Sequence, residues 1–360
     1  MNTFEKILAL LRCELWGEPL ACEVTADDID GILAMAEEQG VSGLVANAII
    51  GSNLPIGDVK TVDVCTVQRM HELKGRDMNK MVARFAGFLN RRNLKYVVMK
   101  GQTMATLYPH PLMRSCGDID FYCPKESFKE AKEAIEERLN VEMTRNLSEI
   151  HDNFKLKDTL FEMHSQLTSL GYFRHQRYWE ALAQNYLSGE PHRAEIDGCW
   201  VKTLPPRLNA VYLLCHLMEH LSEKHFALKQ LCDWAVLLHK YREEIDSEEL
   251  ARHLEGLGLA KAGRVLGLWL VERLGFPKEQ FPLPLDEKDM EWVRFIDHDF
   301  MFWSAKRKES KKPSGGVSFL HSLYTGTIVA RKTFRFFWLA PAEMFWRFPK
   351  MAVWSLRKRL

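Results

Sequence analysis

Helical periodicity gives way to strand periodicity once, in the middle of this chain, and that interruption most limits its fold. Apolar residues recur at three- and four-residue spacing in Ile7, Leu8, Leu10 and Leu11, in Ile29, Ile32, Leu33, Met35 and Ala36, and in Met81, Val82, Phe85, Phe88 and Leu89, the pattern of amphipathic helices. Pro and Gly between Gly51 and Gly57 mark a loop among them. At Tyr96-Val97-Val98-Met99 the apolar run becomes continuous and stops at Lys100-Gly101, which predicts a buried strand feeding a turn. A short helix over Thr103–Leu107, a loop through Tyr108-Pro109-His110-Pro111 and a second strand over Ile119–Cys123 follow.

A charged amphipathic helix is predicted over Lys125–Leu139. Strands follow at Val141–Thr144, Phe154–Lys157 and Thr159–Leu167, where apolar and polar residues alternate. Helical stripes return at Arg207–Glu223, Ala227–Lys240, Ser247–Leu257 and Lys261–Leu274. This predicts an α+β chain in four parts: an N-terminal helical region (1–90), a strand-containing core (91–170), a C-terminal helical domain (171–300) and a tail (301–360). Residues 304–316 read as a polar, mobile segment.

Of 360 residues, 46% are apolar and 27% charged, which excludes a disordered chain, a collagen-like chain and a small disulfide scaffold. The net charge of +1 predicts no polyanionic partner. It is unevenly placed, however: residues 301–360 carry 13 Lys/Arg against 2 acids, leaving 36 against 46 for residues 1–300. The eight cysteines form no C-x-x-C pair, and Met1-Asn-Thr-Phe-Glu-Lys leads into an amphipathic stretch rather than a signal peptide. These features predict a reduced, cytoplasmic protein. No apolar run of about 18 residues suggests a spanning helix.

The most informative stretch runs from Lys100-Gly101-Gln102 through Arg114 to Gly117-Asp118-Ile119-Asp120. Carboxylates two apart on a strand share a face. Like charges that close repel, so a site holding both ionised calls for a cation. With no His or Cys nearby in sequence, the donors predict a hard ion, Mg²⁺ or Mn²⁺, rather than zinc. A glycine at the end of the preceding strand lets the backbone approach a phosphate. Together these describe a phosphoryl- or nucleotidyl-transfer site.

In these residues the chain resembles the nucleotidyltransferase superfamily that includes DNA polymerase beta, and more closely its branch of uncharacterised bacterial nucleotidyltransferase-like proteins. Lys100-Gly101, Tyr108-Pro109, Arg114 and Gly117-Asp118-Ile119-Asp120 carry the resemblance, which covers roughly residues 95–240. It implies a nucleotidyltransferase-type mixed sheet between the helical domains. It also implies transfer of a nucleoside monophosphate from an NTP to an unidentified acceptor. Asp118 and Asp120 would bind two Mg²⁺ ions, Glu162 in Leu160-Phe161-Glu162-Met163-His164 would be the third carboxylate, and Gly101 and Gln102 would lie under the triphosphate. Lys100, Arg114 and Gly117 complete the implied nucleotide site, and His164 lies two residues beyond Glu162. Where the superfamily has Gly-Gly or Gly-Ser, this chain has Gly101-Gln102 and lacks a hydroxyl for the β/γ phosphates. A catalytically lapsed nucleotide-binding protein is therefore an alternative.

A second constellation, His216-Leu-Met-Glu219-His220, reads as the H-x-x-E-H pattern of a zinc-dependent hydrolase, with Asp233 downstream. His216 and His220 would share a helix face. Three readings stand: zinc ligands, contacts to nucleotide or acceptor, and a buried His–Asp pair tying two helices together. In the tail, Trp338, Phe345, Trp346 and Trp354 alternate with Arg and Lys. Such a segment suits peripheral contact with an anionic membrane, stacking on nucleic-acid bases, or aromatic packing on the helices while the basic ends reach water. No specific nucleic-acid motif accompanies it, and Pro341 and Pro349 interrupt any long helix.

Overall fold

The computed structural model describes residues 1–145, 151–223, 226–309 and 334–346. Four helices come first: α1 (Thr3–Trp16), α2 (Ala26–Glu38), α3 (Ser42–Gly51) and α4 (Gly57–Arg91). Local chemistry sets their ends. The Asn2 side chain accepts from the Glu5 amide at 2.9 Å at the start of α1, and Gly17 in a left-handed conformation ends it, as N-cap and C-cap preferences require.

The sheet follows, with strands β1 (Val97–Met99), β2 (Asp118–Tyr122), β3 (Thr144–Arg145), β4 (His151–Leu156) and β5 (Thr159–His164), and helices α5 (Gly101–Ala105) and α6 (Lys125–Leu139) between them. After α7 (Phe173–Leu187) the chain adds β6 (His192–Ile196) and β7 (Cys199–Thr203). The seven strands lie in the order β3-β4-β5-β2-β1-β7-β6. The sheet is mixed: β2 runs parallel to β5 and β1 to β7, while the other neighbours are antiparallel. The β6–β7 hairpin extends the sheet beyond the 91–170 segment expected to hold it. Its signal was the Asp197-Gly198 turn between alternating residues; both take positive φ, 49° and 71°, as a tight hairpin turn demands.

Further helices follow: α8 (Pro206–Glu223), α9 (Leu228–Lys240), α10 (Ser247–Gly256), α11 (Ala260–Leu274) and α12 (Met290–Glu309). The segment expected to be mobile from 304 is helical as far as Glu309. Among the described residues, no helix is long and apolar enough to cross a membrane.

Strand alternation sorts the sheet into two unlike faces. On one, Val98, Ile119, Phe121, Phe154, Phe161, Met163 and Val201 pack against Val82, Phe85, Ala86 and Leu89 of α4 and Ala131 and Ile135 of α6. The Phe85 ring stands 4.8 Å from both Phe121 and Phe161. The other face carries the acidic residues and meets α8. A second, larger core joins helices from both ends of the chain, from Phe4 and Ile7 to Trp269 and Phe300. There α1 is tied to the end of α11, where Arg12 Nε donates to the Arg273 carbonyl at 3.0 Å and Trp16 Nε1 to that of Leu274 at 2.7 Å.

Part of the tail belongs to this core. Phe336, Leu339, Ala340 and Met344 are buried in it. The Glu343 carboxylate accepts from the Gly171 and Tyr172 amides at 2.6 and 3.2 Å and from His175 Nδ1 at 2.7 Å. Packing thus accounts for part of the aromatic tail, while Phe334, Trp338, Phe345 and Trp346 remain exposed. Trp354 and the basic residues from 347 onward lie outside the described residues.

Candidate active site

The acidic site is assembled by strand register. Asp118 and Asp120 share one face of β2, and in the parallel pairing with β5 Asp120 stands directly opposite Glu162, with Tyr122 opposite His164. Three carboxylates from two adjacent strands therefore line one side of the sheet. Strand β4 pairs with β5 on its far side and sets His151 opposite His164.

Lys100 ends β1 in a conformation rare for a residue with a side chain, φ 53° and ψ −145°. Such a backbone stores about 1–3 kcal/mol of strain and persists only where its surroundings enforce it. Here the Lys100 carbonyl accepts from Thr103 Oγ1 at 2.7 Å, and the ammonium turns back over the sheet. Its Nζ lies 3.2 Å from Asp120 Oδ2 and 3.1 Å from His216 Nε2. Gly101 follows at φ 48°, where a Cβ would be strained and would also stand 3.3 Å from Cys116 Sγ.

The two aspartates are electrostatically unlike. Burial opposes the charge on Asp120, but Lys100 and His164, whose Nε2 is 2.9 Å from Oδ1, outweigh it and hold the carboxyl well below its ordinary range. At Asp118, burial and then the Asp120 charge push the carboxyl up, and Lys100 offsets them only in part. One carboxylate is thus fully compensated while its neighbour is short of positive charge.

Burial, then Lys100, then His220 drive the pKa of His216 well down. Its Nε2 accepts from the Lys100 ammonium at 3.1 Å and lies 3.1 Å from His220 Nε2. An ammonium directed at the same nitrogen disfavours zinc there. Among the described residues no third His, Cys, Asp or Glu completes a metal site with His216 and His220. The H-x-x-E-H pattern arises because α8 lays both imidazoles on the face toward Lys100.

Arg114, Asp233 and Gln102 sit apart from this cluster. Arg114 is buried, with Nε and Nη2 donating to Asp233 Oδ1 and Oδ2 at 2.9 and 2.6 Å, and the Tyr108 hydroxyl donates to the same Oδ1 at 2.7 Å. Asp233 therefore pairs with Arg114 instead of a histidine, and both groups already have partners. Gln102 is 2% exposed. Its amide donates to Asn79 and to the Gly75 carbonyl on α4, so this side chain anchors α5 instead of facing the acidic residues. Gly117 meets nothing within 4 Å at its Cβ position, leaving open space just ahead of Asp118.

Two residues escaped the sequence reading. Lys229 on α9 lies within electrostatic reach of Asp118, and burial, reinforced by Arg114, lowers its pKa. Among the described residues no carboxylate forms an ion pair with it. His151 on β4 has its Nε2 at 3.6 Å from Glu162 Oε2. Neither carries a local sequence signal, since each reaches the site only through pairing or helix packing. His164 and His151, separated from the aspartates along the chain, are brought beside them by β4 and β5.

A mixed sheet with paired aspartates on one strand and a third acid opposite them on the next is a nucleotidyltransferase-type core. Residues 25–275 match the family model described as uncharacterised nucleotidyltransferase, and the chain belongs to that family. Membership supports a nucleotidyl-transfer function and implies an NTP substrate. No curated protein matches the chain. Among solved structures, an antigenic nucleotidyltransferase-like protein from Paracoccidioides brasiliensis is similar at 16% identity and a TM-score of 0.35, over 55% of this chain and 92% of that one. The antibiotic-resistance factor ANT(2'')-Ia is similar at 12% identity and a TM-score of 0.35, over 49% of this chain and 89% of its own.

Proposed function

We propose that the chain transfers a nucleoside monophosphate from an NTP to an acceptor hydroxyl or phosphate and releases pyrophosphate. Asp118 and Asp120 would hold the divalent metal, and Glu162 would be the third carboxylate. The observation that carries this reading is the convergence of these three acids on one face of β2 and β5. The donor set fits a cation, because Asp118 lacks the positive charge that Asp120 receives. When bound, the metal would neutralise the triphosphate and activate the attacking hydroxyl.

The chain's own residues would do the rest. Lys100 keeps Asp120 ionised, and its strained backbone fixes the ammonium against the strand. Lys229, a cation without a described ion-pair partner, would meet the triphosphate, a part the resemblance assigned to Arg114 and Gln102. Glu162 would take the acceptor's proton, and His220 at the far end of the Lys100–His216 line would contact substrate. Transfer of this kind rests on positioning and charge neutralisation.

Calorimetry with ATP, GTP, CTP and UTP, with and without Mg²⁺, tests the proposal on wild type and Asp118→Asn/Asp120→Asn, with pyrophosphate release as second readout. Mg²⁺-dependent binding and release that the double variant loses would support it. Tight binding without release would support the lapsed alternative. No binding of any NTP by the wild type would overturn both.

Peripheral membrane contact is a separate proposal, resting on the exposed Phe334, Trp338, Phe345 and Trp346 beside a basic sequence.

A further inference from the structure

Outside the aspartate pair, the sheet brings a second donor set to one point. His151 Nε2 and His164 Nε2 each lie 3.6 Å from Glu162 Oε2, and one donor atom from each of the three residues falls within 4.8 Å of the others. The two imidazole centroids are 4.8 Å apart. At 3.6 Å these nitrogen–oxygen contacts are too long to be hydrogen bonds. They are close to the separation of two ligands on one ion, since donors at about 2.0–2.1 Å from a tetrahedral metal stand roughly 3.3 Å apart. His164 Nε2 is also 2.9 Å from Asp120 Oδ1, a hydrogen bond that an ion taking that nitrogen would replace.

The backbone preorganises this cluster. His151 and His164 are a cross-strand pair of β4 and β5, and Glu162 is two residues before His164 on the same face. The three side chains are 11%, 20% and 10% exposed for His151, Glu162 and His164, so an ion here would sit largely out of water.

We propose that His151, Glu162 and His164 form a binding site for a divalent transition-metal ion of the zinc or cobalt class. Two imidazoles and one carboxylate select such ions over Mg²⁺, which prefers an all-oxygen shell. The site deepens the reading above in one respect, because it shares Glu162 with it; it requires no nucleotide. In a nucleotidyltransferase it would give one end of the acidic row a nitrogen-bound ion and leave Asp118 to the harder one.

Metal-free full-length protein titrated with Co²⁺, followed by visible d–d absorption and by calorimetry, provides the test. We expect one Co²⁺ per chain with the spectrum of a nitrogen-ligated, low-coordinate ion, displaced by Zn²⁺ but not by excess Mg²⁺. His151→Gln should weaken binding at least about tenfold without altering the circular dichroism spectrum. Glu162→Gln gives a second, independent loss. Absence of Co²⁺ binding, displacement by comparable Mg²⁺, or unchanged affinity in both folded variants would overturn the proposal. NTP binding with Mg²⁺ but no Co²⁺ site would sink this inference alone. A Co²⁺ site without NTP binding would sink only the nucleotidyl-transfer reading.

Discussion

The Lys100 ammonium lies 3.2 Å from Asp120, so the protein supplies its own cation to one of two neighbouring aspartates and leaves Asp118 without an equivalent. That asymmetry sets the expected behaviour of both residues. Lys100→Met should lower stability by as much as about 3 kcal/mol, the lower end for a broken buried ion pair, because His164 still serves Asp120. Divalent metal should restore part of the loss by replacing the missing charge. Thermal melts of the variant in EDTA and in Mn²⁺ would show this, and a metal-insensitive melt would contradict it.

Asp118→Asn should act in the opposite sense. Burial and Asp120 disfavour the Asp118 charge, so the neutral amide relieves repulsion. The variant is expected to melt higher than wild type in EDTA while losing Mg²⁺-dependent NTP binding. A lower melting temperature would mean that Asp118 has a structural partner in solution.

The Arg114–Asp233 pair should prove structural. Asp233→Ala leaves a buried guanidinium uncompensated and should cost about 3–5 kcal/mol in urea unfolding. Replacing the whole network with apolar groups, Arg114→Met/Asp233→Leu/Tyr108→Phe, should recover most of that. NTP affinity of the triple variant should match wild type; a loss of tenfold or more would return Arg114 to the nucleotide site.

Acid should destabilise the fold through His71. Burial lowers its pKa, with Glu37 opposing the shift and Lys74 adding to it. Its Nε2 lies 2.8 Å from Ser42 Oγ. Because the folded pKa lies below the unfolded one, the unfolded chain binds the proton more readily. The stability contribution is intact above about pH 6.5 and is lost as pH falls from there through the lower folded pKa. His216 and His253 are shifted the same way, so the informative quantity is the difference between wild type and His71→Gln. The variant should show a shallower loss of stability on acidification, and an equal slope would exclude His71 as a contributor.

Membrane contact is best tested by point substitution. Truncation before residue 334 would remove Phe336, Leu339 and Met344 from the core and confound the result. Trp338→Ser/Trp346→Ser changes exposed rings only and should reduce co-sedimentation with anionic vesicles. Equal co-sedimentation would remove the proposal.

Periodicity alone was enough for most of the elements. The 3.6-residue stripes located α6, α8, α9, α10 and α11, the continuous apolar run located β1, which is buried throughout, and alternation located β4 and β5, because an element's pattern records which of its faces must be buried. The Asp-x-Asp spacing likewise placed Asp118 and Asp120 on one side of β2, and the acid-x-His spacing did so for Glu162 and His164. The β6–β7 hairpin, despite its Asp-Gly turn, lies outside the strands predicted from alternation.

Only the tertiary structure decided which residues meet. Arg114 and Asp233, 119 positions apart, pair because the tertiary fold brings the end of the turn at Pro111–Met113 to α9. Gln102 follows a glycine as a phosphate-binding residue would, yet α4 claims its amide. His151 and Lys229 join the site through strand pairing and helix packing. Short-range spacing fixes the direction of a side chain relative to its own element. Its partner depends on chain distant in sequence, and that is settled when hydrophobic burial brings the elements together.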